Sequence, residues 1–390
     1  MSYLNVKKQF SSLRIFEILA FILIIVSSLG VFPSLSSSVL FPIVKIASAQ
    51  PATTVQPYEI TTRGNLPKPI GVQGNGYNNK YPILDIRQLF NNCPNEIAII
   101  VHGWKLNETQ AKERFDRVKM SLEHNQYSIP IVGFSWDSNT SWADAKTIAN
   151  ENGPKLAHFI FDYKDTCKHH HNKDVNVRLV AHSLGARVVL SALKGLYDIT
   201  ALNTNHVNIT SVHMMGAAAD DEEVSRDPAD TGDSFLDDGI VYGKFIQKEV
   251  IHFFNLYDRE DNLLKPSLLP PVYYPAFEGD LALGYHGKQA GIDPPSPSIY
   301  RDIEVENEIL NIDDSDGDGK CDLPNPFVPD SCPINAVGEN HLGYFGFRSA
   351  VNSMLIDDGA MNVVVSNWRN PEGKLSVVQI KLIVEHTIPQ

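Results

Sequence analysis

Five short, near-continuously apolar runs alternate with stretches of helical periodicity, and this alternation leaves the chain very few architectures. The runs are Ile97–Val101, Pro130–Phe134, Val177–Ala181, Val212–Met215 and Val250–Leu256. A strand that is apolar at successive positions is covered on both faces, as strands are in parallel sheets flanked by helices. Between the runs, Leu156, Phe159, Ile160 and Tyr163 recur at i, i+3, i+4 and i+7, and Val189, Ala192, Leu193 and Leu196 repeat the pattern. The chain is therefore expected to be of the α/β class, with a doubly wound, mostly parallel sheet and right-handed crossovers.

The flanks read differently. Lys7, Lys8 and Arg14 precede an apolar run, Ile18–Val26, that is too short for a confident bilayer span but suits the apolar stretch of an export signal. Ala47-Ser48-Ala49 has the small-x-small form of a cleavage site. The spacer between run and site is long, so residues 1–49 are read as a cleaved signal peptide or as an uncleaved N-terminal anchor. Either places the protein in a secreted or extracytoplasmic setting, the second with a membrane tether. Residues 50–83 are rich in Pro, Gly, Asn and Thr without a period, and read as a linker. Residues 84–390 form the main domain. Within it, 263–300 is an irregular excursion rich in Pro, Gly and aromatics, either a lid or a packed surface loop. His169–His171 reads as an exposed polar loop rather than a metal site.

A net charge of −13 argues against a phosphate-backbone partner, so no nucleic acid is expected. Four cysteines fit an oxidising compartment. Cys321 and Cys332 share one polar loop and are paired on that ground, which leaves Cys93 with Cys167.

The chemistry centres on Arg178-Leu-Val-Ala-His-Ser-Leu-Gly-Ala-Arg187. A buried-strand run ends at Ala181, Ser183 has small residues two positions away on each side (Ala181 and Gly185), and a helical pattern follows at once. This is the signature of a nucleophile elbow, a strand-to-helix turn cramped enough to require small neighbours. Ala181 stands where Gly is usual. The turn places the serine hydroxyl near a helix N-terminus, which favours developing negative charge. Upstream, Ile99-Ile-Val-His-Gly-Trp104 ends a strand in a flexible turn. The backbone N–H groups of Leu184 and Trp104 are the expected oxyanion donors.

Together with Gly133-Phe-Ser-Trp-Asp-Ser138 and Asn152-Gly-Pro-Lys-Leu-Ala-His-Phe-Ile160, these segments resemble the α/β-hydrolase superfamily, and within it lipase- and esterase-like proteins of the His-Ser-Leu-Gly-Ala type, including secreted archaeal and bacterial hydrolases. The resemblance implies a nucleophile, an acid and a histidine in that chain order. Asp261, after the strand Val250–Leu256, fits the acid position best. Asp258 is its near rival, and Asp220 and Asp221 are candidates one strand earlier. His341, in Glu339-Asn-His-Leu-Gly-Tyr-Phe345, resembles the catalytic histidine, with a helical stretch expected over 347–355; His286 and His386 are rivals. The implied reaction is hydrolysis of a small-molecule or lipid carboxylic ester through an acyl-enzyme. An amidase, peptidase or thioesterase on the same triad, and a non-catalytic binding protein of this fold, are the alternatives.

No cofactor is expected for catalysis. Asp314, Asp316, Asp318 and Asp322 alternate around Gly319, an arrangement suited to a structural Ca²⁺, although Asn325 stands where an EF-hand has its bidentate Glu. With Cys321–Cys332, this insert (311–335) would brace the segment carrying His341.

Overall fold

The computed structural model describes residues 57–64, 78–79, 84–202, 207–230, 239–261, 263–265, 280–309, 340–349 and 352–373. The N-terminal segment 1–49, the acidic loop with Asp314, Asp316, Asp318 and Asp322, the Cys321–Cys332 pair, His386 and residues 266–279 of the 263–300 excursion lie outside them.

All five apolar runs are strands. In chain order the strands are β1 (Tyr58–Thr61), β2 (Asn78–Asn79), β3 (Glu96–Val101), β4 (Ile131–Ser135), β5 (Asn176–His182), β6 (Ile209–Met215), β7 (Val250–Tyr257) and β8 (Tyr300–Glu304). They form one eight-stranded sheet in the order β2-β1-β4-β3-β5-β6-β7-β8. Every pairing is parallel except that between β1 and β2. The doubly wound α/β sheet expected from the sequence is thus the one that forms. Two strands toward the rims carry no continuous apolar run: β1, next to the edge, falls within the stretch read as a linker, and the edge strand β8 (Tyr-Arg-Asp-Ile-Glu) is largely polar.

The helices are α1 (Leu84–Asn92), α2 (Glu108–His124), α3 (Trp142–His171), α4 (Gly185–Leu202), α5 (Gly243–Glu249), α6 (Leu283–His286) and α7 (Met361–Arg369). Alternate residues of β3 feed two apolar clusters. Ile97, Ile99 and Val101 join the side chains of α3 and α4, whereas Ala98 and Ile100 meet α2 and α7. Helix α2 starts on a capping box, in which Asn107 and Gln110 exchange side-chain-to-backbone bonds.

Helix α3 runs through Pro154, which lacks the N–H that would bond the carbonyl four residues earlier. Ser191 of α4 supplies the missing donor, its Oγ lying 2.8 Å from the Asn150 carbonyl. A Cβ on Gly153 would come within 2.3 Å of that hydroxyl, so glycine permits the close crossing of the two helices. His169–His171 forms the exposed last turn of α3 rather than a loop, and Asn172 closes the helix in the left-handed conformation at φ 52°. Cys167, in the same helix, is disulfide-bonded to Cys93 just past α1.

Beyond His341 the expected helix over 347–355 is instead a small hairpin, β9 (Phe347–Arg348) with β10 (Leu355–Asp357), and the helix begins at Met361. Ser353, within that stretch, explains the change, because its φ of 58° is a left-handed conformation that a helix cannot continue through.

Candidate active site

The order of the strands fixes where a site can form. From β3 the chain moves outward to β4 and then returns to the other side of β3 to make β5. The carboxyl ends of two strands whose connections diverge leave a crevice, the usual ligand position in open α/β sheets. Val101 at the end of β3 is in register with Ala181 of β5, so His102-Gly103 and His182-Ser183 face each other across that crevice.

Ser183 has a φ of 54°, a left-handed conformation costly for a residue with a Cβ. Its backbone is pinned on both sides: its N–H donates to the Met215 carbonyl at 3.0 Å, and its carbonyl accepts from Ala218 N–H at 3.2 Å. The small neighbours are required by contact. A Cβ on Gly185 would lie 2.7 Å from the carbonyl oxygens of Val101 and His102, and one on Gly103 would lie 2.8 Å from the Ser183 Cβ.

Asp261 and His341, 80 residues apart, meet at 2.6 Å between Oδ2 and Nδ1. The other Asp261 oxygen accepts from the N–H groups of Leu263 and Leu264 at 3.0 and 3.1 Å, so the turn after β7 orients the carboxylate. With Nδ1–H donating to Asp261, the neutral imidazole keeps Nε2 as a free base. The ring lies on the serine side of the molecule, its centroid 4.7 Å from that of His182. Among the described residues Ser183 Oγ is not hydrogen-bonded to His341; such contacts commonly close only when substrate binds.

The other candidates are engaged elsewhere. Asp220 binds Arg187 at 3.1 Å, and Asp221 faces His286 Nε2 at 3.1 Å. Asp258 Oδ1 accepts from Glu260 N–H at 2.8 Å, and burial pushes its carboxyl up to about 6. Leu184 is buried directly beneath the elbow. Trp104 is placed at the other rim by its indole N–H bond to the Thr140 carbonyl at 3.0 Å and by an edge contact with Trp142.

Several residues shape this site without having been singled out in the sequence. His182 Nε2–H donates to the His341 carbonyl at 2.7 Å and holds the base from below. Burial, with His341 and Arg114 nearby, pushes His182 well below the usual imidazole range, so it acts as a neutral donor. The short helical turn Asn340–Phe345 that bears His341 rests on α2. Arg114 reaches the Leu342 carbonyl at 3.4 Å, Arg117 the Gly346 carbonyl at 3.2 Å, and Ser121 Oγ the Phe345 carbonyl at 2.9 Å. A sequence signal was present: Arg114, Arg117 and Ser121 share the buried face of α2 with Ala111, Phe115, Val118 and Leu122, and polar residues on a core-facing stripe need internal partners.

His102 fixes the opposite rim. Its Nε2 accepts from Trp136 N–H at 3.1 Å and from Arg63 at 3.0 Å, so Nδ1 carries the proton and donates to the Gly103 carbonyl at 2.9 Å. A trans peptide turns that carbonyl and the Trp104 N–H opposite ways, so His102 sets the direction of the Trp104 N–H. Burial, with Arg63 beside it, pushes His102 from 6.5 down to about 3. Below pH 6.5 the unfolded chain takes up a proton that the folded chain refuses, so this contribution to stability is whole above 6.5 and is lost as the pH falls toward 3. Between pH 7 and 5 its share is about 2 kcal/mol. Urea unfolding at the two pH values should therefore show a loss about 2 kcal/mol smaller in His102→Gln than in the parent; equal losses would refute the assignment.

Residues 85–269 match the model of a family described as "Alpha/beta hydrolase of unknown function (DUF900)". No curated protein matches the chain significantly by sequence. Among solved structures, lipase B of Aspergillus fumigatus aligns at 10% identity with a TM-score of 0.30, over 56% of this chain and 46% of its own. Phospholipase PlaB of Legionella pneumophila aligns at 13% identity and a TM-score of 0.27, over 43% and 40%. A Trichoderma reesei cutinase, bound to a phosphonate inhibitor, aligns at 17% identity and a TM-score of 0.22, over 34% and 60%. The chain thus spans about half the length of the first of these. At such scores the likeness carries no inference about activity.

Proposed function

We propose, from the match of residues 85–269 to an α/β-hydrolase family model, that the chain hydrolyses carboxylic esters with Ser183 as nucleophile, His341 as base and Asp261 as the orienting acid. The observation that supports the proposal is a serine held at φ 54° and an imidazole bonded at 2.6 Å to a turn-capping carboxylate, the backbone of that imidazole's residue being tied at 2.7 Å to His182, the residue before the serine. His341 Nε2 takes the hydroxyl proton as Ser183 Oγ attacks the ester carbonyl. The N–H groups of Leu184 and Trp104 stabilise the resulting oxyanion. Collapse expels the alcohol, which takes the proton from His341 and leaves an acyl-serine. Water, deprotonated by the same imidazole, then releases the acid. Asp261 steadies the imidazolium in both half-reactions without itself gaining the proton.

A fluorophosphonate probe tests the reading. The folded protein should be labelled stoichiometrically, with the adduct on the peptide containing Ser183. No labelling, or labelling elsewhere, would favour a non-catalytic binding protein. A series of p-nitrophenyl esters and anilides of rising chain length then separates esterase, lipase and amidase activity. Work outside the cytoplasm is part of the proposal, supported by the buried Cys93–Cys167 disulfide. Among the described residues no helix is long and apolar enough to cross a membrane.

A further inference from the structure

Behind the elbow lies a group of buried acidic side chains that the proposed reaction does not use. Asp220, Asp221, Glu222 and Glu223 follow β6 as an unbroken run, and all four are buried. Carboxylates in such surroundings need compensating partners. Arg187, from the first turn of α4, meets Asp220 at 3.1 Å and Glu223 at 2.7 Å, so one guanidinium serves two acids. Asp221 Oδ2 faces His286 at 3.1 Å, but its Oδ1 meets no hydrogen-bond donor among the described residues. Glu222 is fully buried, and neither of its oxygens meets one. Carboxylate oxygens of Asp221, Glu222 and Asp280 converge to within 4.8 Å of one another.

We propose that Asp221, Glu222 and Asp280 bind a hard divalent cation, Ca²⁺ in preference to Mg²⁺. The donors are all oxygen, as hard cations require. Ca²⁺ holds oxygens at about 2.3–2.6 Å in a flexible shell and can span ligands as far apart as these, whereas Mg²⁺ demands a tighter octahedron. Asp280 is only partly buried, which gives the ion a way in from solvent. The frame for the site exists already: Asp221 N–H donates to the Leu281 carbonyl at 3.2 Å, and Asp220 and Ala282 form an isolated antiparallel bridge. The cation joins the loop after β6 to the segment leading into α6. Its ligands share no residue with the acidic run Asp314–Asp322.

The test uses the full-length chain carrying Asp316→Ala and Asp318→Ala, which removes the second acidic loop from the reading. Thermal unfolding is followed in EGTA and in rising CaCl₂, with MgCl₂ as control. A Ca²⁺ concentration about a hundredfold above Kd should raise Tm by roughly 5 °C. Glu222→Gln should abolish the rise yet unfold at a higher temperature than the parent in EGTA, so the two proteins exchange rank as Ca²⁺ is added. Asp280→Asn, at a partly exposed position that puts folding at little risk, should weaken the Ca²⁺ response at least tenfold. A Ca²⁺-independent Tm in the parent overturns the proposal. So does a response of equal size in Glu222→Gln and Asp280→Asn. Glu222→Gln remaining the more stable protein at every Ca²⁺ concentration also overturns it.

Discussion

Ser183→Ala should lower kcat for a short p-nitrophenyl ester about 10⁶-fold, because members of a triad act as a unit and loss of the nucleophile removes nearly all of its effect. The folded protein should survive the change, since alanine keeps the Cβ that already packs beside Gly103. A second substitution separates chemistry from strain. Ser183→Gly removes the same hydroxyl and also relieves the left-handed backbone at φ 54°, a conformation that costs about 1–3 kcal/mol for residues other than glycine. The extra freedom of glycine in the unfolded chain offsets about 0.4–1 kcal/mol of that gain. The glycine variant should therefore be equally inactive but melt above the alanine variant. Residual activity in both variants within tenfold of the parent would remove Ser183 from the mechanism. A glycine variant that melts below the alanine variant would mean that the turn holds no strain.

Removing the Cys93–Cys167 disulfide should have the largest effect on stability. The bond closes a loop with a sequence separation of 74, and constraint of the unfolded chain at that length stabilises the fold by about 4 kcal/mol. It joins the chain just past α1 to α3 at two fully buried positions, so little solvent relaxation compensates its loss. A Cys93→Ala, Cys167→Ala protein should melt roughly 10 °C below the parent. A reductant able to reach the bond should lower the parent's Tm by a similar amount while leaving this variant's unchanged. An equal drop in both would assign the effect to other cysteines.

What could be read from the sequence follows the strength of each physical signal. The five buried strands carry continuous apolar runs because helices cover both faces, and those runs cannot be mistaken for solvent-facing chain. Strands β1 and β8 lie toward the rims of the sheet, where polar residues are tolerated, and their short sequences show no period. The elbow was legible because its steric demand falls on neighbours two positions away. The pairing of Asp261 with His341 was legible only through resemblance, since nothing in composition links positions 80 residues apart. Arg114, Arg117 and His182 were missed because each acts on a backbone carbonyl, and carbonyls look the same in every sequence. The apolar spacing after His341 suits helix and hairpin alike, and the left-handed conformation of Ser353 decides between them.

The rest that α2 provides for the turn bearing His341 also governs timing. Residues 108–124 leave the ribosome more than 200 positions before their tenant, so the face of α2 that receives the turn is made long before the turn itself. The stretch matching the family model, 85–269, contains the proposed hydroxyl and carboxylate but ends short of the imidazole. On the proposed mechanism, a chain that stops before residue 341 should show no esterase activity, and activity is expected only once the turn bearing the imidazole rests on α2.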